Sequence, residues 1–346
     1  MGQIIIEKNE NGLGTILLNR PEALNSLTFD MIEAMKGALE KWQDDEAVKV
    51  VFIGSTTERA LCAGGDMKMM YEAKMAEKNM DDVHRFFHLE YVLDEMVHTY
   101  EKPIVAILNG IVMGGGVGFT YGADYKIVTD QTKWAMPETK ISFFPDVAAS
   151  YFLNLAPGKT GRYVALTGET LAASDVIFLK AANVYVKTDD LDALINGLHE
   201  TNWHEENIEE TLLSIMNRHR SPIDETGKIE RNLDKINVHF AHDAVEEIFT
   251  SLERDESDFA KETLNTLKSL SPISLKVTLE LMKRGETMSL KESFQTDLIV
   301  AKRFLEIDDF YEGVRSVLVD KDRDPKYDYR SIEEVPDDFV QSFFNK

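Results

Sequence analysis

The stretch Pro103-Ile-Val-Ala-Ile-Leu-Asn109-Gly-Ile-Val-Met113-Gly-Gly-Gly-Val-Gly118-Phe-Thr-Tyr-Gly-Ala123 runs for 21 residues without a charge. Its length, and the small-residue spacing of Gly114, Gly118 and Gly122, imitate a membrane-spanning helix. Asn109 interrupts it, however, and glycine dominates its second half, which lowers its hydropathy. A fully buried strand, Ile104–Leu108, running into a glycine-rich helix start is the better reading. The neighbourhood supports it. Upstream, Val48–Ile53 is a β-branched run closed by Gly54, and Thr15–Asn19 is a short apolar run closed by Arg20-Pro21. Downstream, Tyr125–Val128 is strand-like again. Between these lie helical patterns: Thr28 is placed to cap a helix with the face Phe29, Ile32, Met35, Leu39 and Trp42, and Asp81 opens another. Strands alternating with helices predict an α/β fold with crossover connections.

From about Asp189 the strand signals fade and acids accumulate. Helical patterns take over, as in Val245–Phe249 and Leu275–Met282, with Ser221-Pro222 and Ser271-Pro272 as breaks. The expected organisation is a catalytic α/β region over residues 1–190 and a mostly helical region over 191–346. Apolar residues at 43% and charged residues at 29% exclude a disordered or fibrous chain. With 38 basic and 61 acidic residues the net charge is −23, which argues against nucleic acid and anionic membranes as partners. Any anionic ligand must be held by local donors. A single cysteine, Cys62, excludes a disulfide framework and a Cys-rich zinc site and fits a reducing compartment. Because Met1–Ile6 enters a strand-like run at once, no targeting segment is expected, and the expected location is cytoplasmic.

Several familiar signatures fail. Gly158-Lys159-Thr160 lacks the leading glycine of a P-loop, since Leu153 stands there. His204-Glu205 has no second histidine at zinc-protease spacing, and Gly116-Val117-Gly118 with Gly122 puts the third dinucleotide-loop glycine one place late. No G-x-S-x-G elbow exists. His84 and His88 share a helix face, but no third ligand follows from spacing, so no metal is expected.

Other residues are placed for chemistry. Glu90 falls on the apolar stripe Val83, Phe86, Leu93, Val97 and Tyr100, where it either faces a pocket or lies at the stripe's edge with its head in water. Glu138 and Asp146 sit in the apolar, aromatic segment Trp134–Val147, presented by Pro137 and Pro145. Such surroundings raise carboxylate pKa values and suit acid–base work, although a pair of loop acids is the plainer alternative. Two glycine clusters, Ala63-Gly64-Gly65-Asp66 and Met113–Gly118, each follow a strand. Glycines at such junctions either make tight packing turns or let backbone N–H groups point into a cavity. Two such groups from different turns make an oxyanion hole.

In order along the chain, Asn19-Arg20-Pro21 with Leu24-Asn25, Ala63–Asp66, Gly114-Gly115-Gly116 and Met136-Pro137-Glu138 resemble the crotonase (enoyl-CoA hydratase/isomerase) superfamily. The match covers most of the first 190 residues. Within the family, Met113–Gly118, Ala135–Glu138, Phe144-Pro145-Asp146, Glu312–Arg315 and Asp320–Arg323 are most similar to the branch that hydrolyses 3-hydroxyacyl-CoA thioesters. The resemblance implies a spiral of ββα units that binds an acyl-CoA, with the N–H groups of Gly65 and Gly115 as oxyanion donors. It implies Glu138 and Asp146 as catalytic carboxylates, Glu138 as nucleophile or as base for water, and Glu90 as a substrate-binding group. Ala63, Asp66, Lys68 and Arg20 are candidates to hold coenzyme A, the two cations being equally readable as surface charges. No cofactor is implied beyond the coenzyme A carried by the substrate, which is expected to be the branched C4 acid of valine breakdown. A homo-oligomer is a further possibility, since trimers are frequent in the family. One departure stands out: Gly118 occupies the position of the first glutamate of the hydratases. The alternatives are a hydratase or isomerase of the same superfamily that uses Glu90 instead, and a catalytically silent CoA-binding fold.

Overall fold

The computed structural model describes residues 2–77, 80–205 and 207–345. It contains the strands β1 (Ile4–Lys8), β2 (Leu13–Leu18), β3 (Val50–Ser55), β4 (Ala60–Cys62), β5 (Ile104–Leu108), β6 (Ile111–Met113), β7 (Tyr125–Val128), β8 (Lys133–Ala135) and β9 (Val184–Tyr185). The helices of its first part are α1 (Phe29–Gln43), α2 (Met67–Met75), α3 (Asp81–His98), α4 (Gly115–Tyr121), α5 (Ala149–Phe152), α6 (Thr160–Thr167), α7 (Ala173–Phe178) and α8 (Thr188–Glu200). After β9 the described chain is helical: α9 (Ile208–His219), α10 (Lys228–Arg231), α11 (Leu233–His239), α12 (Val245–Glu253), α13 (Asp258–Lys268), α14 (Pro272–Gly285), α15 (Leu290–Phe304), α16 (Asp308–Val314) and α17 (Asp337–Ser342).

The uncharged stretch is therefore β5, β6 and α4, and no helix among the described residues is long and apolar enough to cross a membrane. Six strands form one sheet in the order β1-β2-β3-β5-β7-β9, antiparallel at β1–β2 and parallel elsewhere. The short strands β4, β6 and β8 form a second sheet. The pairs β3/β4, β5/β6 and β7/β8 each give one strand to the large sheet and one to the small sheet. The junctions into α2 and α4 thus follow the short strands β4 and β6.

The chain forms two compact units that do not meet at residue 190. One comprises Met1–Gly65, Leu89–Trp134 and Leu171–Gly227, the other Asp66–His88, Ala135–Thr170 and Lys228–Lys346. In the first, one face of the large sheet (Leu13, Val50, Phe52, Val105, Ile107, Ile127) is covered by Leu191, Leu194 and Leu198 of α8 and by Leu212 and Met216 of α9. Residues 191–227 thus belong with the sheet they bury. Helix α1 starts as its sequence demands: the Thr28 hydroxyl accepts the Met31 N–H, and Ile32, Met35, Leu39 and Trp42 are buried. Trp42 reaches the sheet at Gly14, where a Cβ would stand 2.8 Å from its ring.

The second unit is organised around Phe143. Its ring lies 4.5 to 5.6 Å from those of Phe87, Phe144, Phe304 and Phe310, bringing α3, α15 and α16 to the turn that follows β8. Rings at such separations bury a large apolar area and fix mutual orientation. Ser271 caps α14 through the Ser274 N–H, and the Ser274 hydroxyl bonds the Phe143 carbonyl.

Candidate active site

The two glycine turns of the first unit abut. Strand β4 pairs with β6 in parallel, Ala60 opposite Ile111 and Cys62 opposite Val112. A methyl on Gly116 would meet the Cys62 carbonyl at 2.6 Å, so only glycine lets the turns approach this closely. Gly64 has φ +99°, and its missing Cβ would lie 3.2 Å from the Met113 carbonyl and 3.7 Å from the Gly115 nitrogen. Leu27 ties the pair together: its N–H donates to Gly64 at 2.8 Å, it bridges to Gly65, and its Cδ1 would be 3.2 Å from a Gly115 Cβ. Among the described residues, neither the Gly65 nor the Gly115 amide has an acceptor within the chain. Two main-chain donors on adjoining turns thus have no acceptor among the described residues.

Glu90 lies against the same place. It is 2% exposed on α3, with Val83, Phe86, Leu93 and Val97 buried along its stripe, and its Oε1 would be only 2.0 Å from a Cβ on Gly115. Of the two readings the sequence leaves open, burial removes the one with the Glu90 head in water. Asp94, one turn further on, is completely buried and escaped the sequence reading although it lies on that stripe. Cys62 supports the turn by accepting the Gly64 N–H at 3.4 Å. Burial first, then the charges of Glu90 and Asp94, push its thiol pKa upward against the lowering effect of that hydrogen bond, so it stays neutral.

Asn25 is the support that the sequence did not disclose as such. Fully buried at φ +56°, it donates to the Ser55 hydroxyl (2.8 Å) and to the Ala60 (3.1 Å) and Leu61 (3.0 Å) carbonyls, and accepts the Arg20 N–H at 2.7 Å. This network fixes the 20–27 loop, and with it Leu27, against β4.

In the second unit, Glu138 opens a short 3-10 turn (Glu138–Ile141) directly after Pro137 and is 5% exposed. Its carbonyl accepts the Phe143 N–H at 3.0 Å, closing the turn onto the aromatic core. Asp146 is 4% exposed and precedes two buried residues in left-handed conformation, Val147 (φ +52°) and Ala148 (φ +62°). Asp297 of α15 holds this backbone: it is completely buried, and its Oδ2 accepts the Ala148 N–H at 2.7 Å. Burial foremost, with the charge of Asp146 adding, keeps the Asp297 carboxyl well above the ordinary carboxylate range, against the lowering effect of the Ala148 bond. Asp297 was missed from sequence. Its signal was a lone acid on the buried stripe Phe294, Val300, Ala301 and Phe304.

The weaker candidates fare differently. Arg20 is committed to its own loop, with Nη1 on the Ser26 carbonyl (3.0 Å) and hydroxyl (2.9 Å). Lys68 is exposed on α2, whose N-cap is Asp66, and Ala63 is half-buried. His88 is exposed beside a half-buried His84, and no group of three metal-ligating side chains occurs among the described residues.

Residues 13–344 match the family model described as enoyl-CoA hydratase/isomerase. The chain is 39% identical over 333 residues to a Xenopus tropicalis protein named 3-hydroxyisobutyryl-CoA hydrolase, mitochondrial, covering 96% of this chain and 86% of that one. It is 36% identical over 343 residues to the Homo sapiens protein of the same name, covering 99% and 88%. Among solved structures it resembles a carnitinyl-CoA dehydratase from Mycobacterium thermoresistibile, with a TM-score of 0.92 and 33% identity over 100% of this chain and 97% of that one. An enoyl-CoA hydratase from Rhodobacter sphaeroides gives 0.90 and 31%, over 99% and 97%. These matches run through β1–β9 and the helical tail alike, and this chain belongs to the enoyl-CoA hydratase/isomerase family, with the crotonase fold.

Proposed function

We propose that this protein hydrolyses the thioester of a short 3-hydroxyacyl-CoA, with 3-hydroxyisobutyryl-CoA as substrate and 3-hydroxyisobutyrate and coenzyme A as products, a step that fits valine breakdown. The observation that carries the reading is the pair of acceptor-free amides at Gly65 and Gly115 on abutting turns, with the Glu90 carboxylate against one of them. Near-full-length relatives named for this hydrolysis support the substrate.

The chemistry follows from charge. Attack on the thioester carbon moves an electron pair onto the carbonyl oxygen. Two amides bind that oxygen more strongly as it becomes anionic, each such donor being typically worth roughly 3–4 kcal/mol in the transition state. The motif positions assign the attacking side to Glu138. It either adds to the carbonyl carbon, giving a mixed anhydride that water then opens, or takes a proton from the water that attacks. On either route the C–S bond breaks and the thiolate leaves to be protonated. Asp146 orients the 3-hydroxyl or assists proton transfer, and Glu90 orders that hydroxyl or the water. Ala63 and Asp66 line the coenzyme A approach with Lys68 and Arg20, the Arg20 Nη1 also bonding Ser26 of its own loop. The reaction needs no cofactor besides the coenzyme A of its substrate. A reducing compartment suits the lone buried cysteine, and cytoplasmic placement is our reading, the mitochondrion of the named relatives being the other outcome of cell fractionation.

A second reading, hydration of an enoyl-CoA, is favoured by the name of the Rhodobacter sphaeroides structure above. Against it stands Gly118, which supplies no carboxylate where the hydratases use one. A thiol-release screen over acyl-CoAs with and without the 3-hydroxyl separates the readings. Thiol released from 3-hydroxyisobutyryl-CoA, with the enoyl absorbance of crotonyl-CoA unchanged, is the expected result. Loss of that absorbance without thiol release overturns it.

A further inference from the structure

We propose that Asp297 is a positioning residue that sets the Asp146 carboxylate by clamping the backbone behind it, a role that rests on the assignment of Asp146 to the substrate.

The argument starts from strain. Val147 and Ala148 are consecutive non-glycine residues at φ +52° and +62°, both fully buried. A left-handed conformation is unfavourable for alanine and more so for a β-branched residue. Such backbone persists only where the surroundings over-determine it. Here the fastening is on one face of α15. Asp297 Oδ2 takes the Ala148 N–H at 2.7 Å, and one turn earlier Ser293 shares a 2.7 Å hydroxyl–hydroxyl bond with Ser150 at the start of α5. The Ala149 N–H closes back on the Asp146 carbonyl at 2.9 Å. The turn that presents Asp146 is thus held from 149 positions away in sequence, at one of its two left-handed residues.

The choice of an acid for this task is informative. Asparagine would accept an N–H equally well, and a buried carboxyl is costly to ionise. Oδ1 makes no hydrogen bond within the described chain, and burial, with the Asp146 charge adding, raises the Asp297 pKa and so biases it toward the neutral form.

The test compares the purified wild type with Asp146→Asn, Asp297→Asn and Asp297→Ala on 3-hydroxyisobutyryl-CoA, with amide hydrogen exchange at Ala148 as a readout independent of turnover. Asp297→Ala is expected to lower kcat by roughly 10–100-fold, as displacements near 1 Å do, with KM within about threefold. The Ala148 amide should lose its protection while the protein remains folded by circular dichroism. Asp297→Asn is expected to restore both kcat and protection to near wild-type levels. Wild-type kcat in Asp297→Ala overturns the proposal, as does a failure of Asn to rescue. Should Asp297→Ala not fold, Asp297→Asn still decides: a large kcat loss with the Ala148 amide protected refutes the clamp. If Asp146→Asn turns over like the wild type, the substrate assignment of Asp146 fails first, and the clamp falls with it.

Discussion

The two regions that carry the proposed chemistry are built on opposite principles. In the turns at 63–66 and 113–116 the working groups are main-chain amides, and side chains are removed so that backbones can touch. In the turn at 137–150 the proposed groups are carboxylates, on a backbone that passes through left-handed conformations at Ser142, Val147 and Ala148. The first region is exposed to damage by added atoms, the second by lost charge. Glycine turns pay their conformational entropy through pairing of β4 with β6 and the Asn25 network. The carboxylate turn is held instead by the aromatic packing of Phe143 and by Asp297.

The largest effect expected from this contrast is at Glu138. Glu138→Gln keeps the shape of the turn and removes both nucleophile and base. The expected loss in kcat is about 10²–10⁴-fold, the span found for positioned acid–base groups. Thermal unfolding should be unchanged or slightly raised, because a carboxyl 5% exposed is replaced by a neutral amide. Thiol-release kinetics beside a melting curve check it. Turnover within twofold of wild type would break the comparison by showing that the second region carries no reacting group.

Gly115→Ala tests the first region. Its added Cβ would stand 2.0 Å from Glu90 Oε1 and 3.2 Å from Leu27 Cδ1. Because α3 and the 20–27 loop are both held firmly, the glycine turn itself must shift and its amide is re-aimed. The expected cost is roughly 10²-fold in kcat, as for loss of one oxyanion donor. A single methyl in the first region should thus approach the effect of deleting a carboxylate in the second. Activity-matched controls at Gly37, where a Cβ meets nothing within 4 Å, should be silent.

What the sequence made legible follows the same division. Strand alternation, the cap at Thr28, the apolar stripe that carries Glu90 and both glycine turns depend on local pattern, and local pattern is what a sequence displays. Asn25 and Asp297 are invisible by the same logic. The groups they hold across the fold lie 30 to 36 and 149 positions away, and nothing in the neighbouring residues marks which backbone groups they will reach. The interleaved units are hidden for a related reason. Residues 191–227 read as part of the helical tail, but the sheet face buried by Leu194 and Met216 claims them for the first unit.

The smallest expected effect concerns pH, and it differs in sign between the regions. His98, at the end of α3, packs its backbone against Gly122 just beyond α4, and its ring lies 5.8 Å from that of Tyr121. Burial, then the Lys126 charge, lowers its pKa to about 4. The unfolded chain therefore binds this proton near pH 6.5 while the folded chain resists it, so stability is lost as pH falls from 6.5 toward 4. Between pH 7 and pH 5 the loss is on the order of 1–2 kcal/mol. Asp297 works the other way. Its folded pKa is raised, so the folded chain keeps a proton that the unfolded chain releases, and its contribution declines as pH rises above the ordinary carboxylate value. Denaturant titrations across pH 4–8 should show the acid slope flattened in His98→Asn and the opposing slope removed in Asp297→Asn. Amide exchange should assign the first change to α4 and the second to Ala148. Identical slopes in both variants would mean that the two regions share one electrostatic response, and the contrast between a backbone-built and a side-chain-built half would lose its energetic basis.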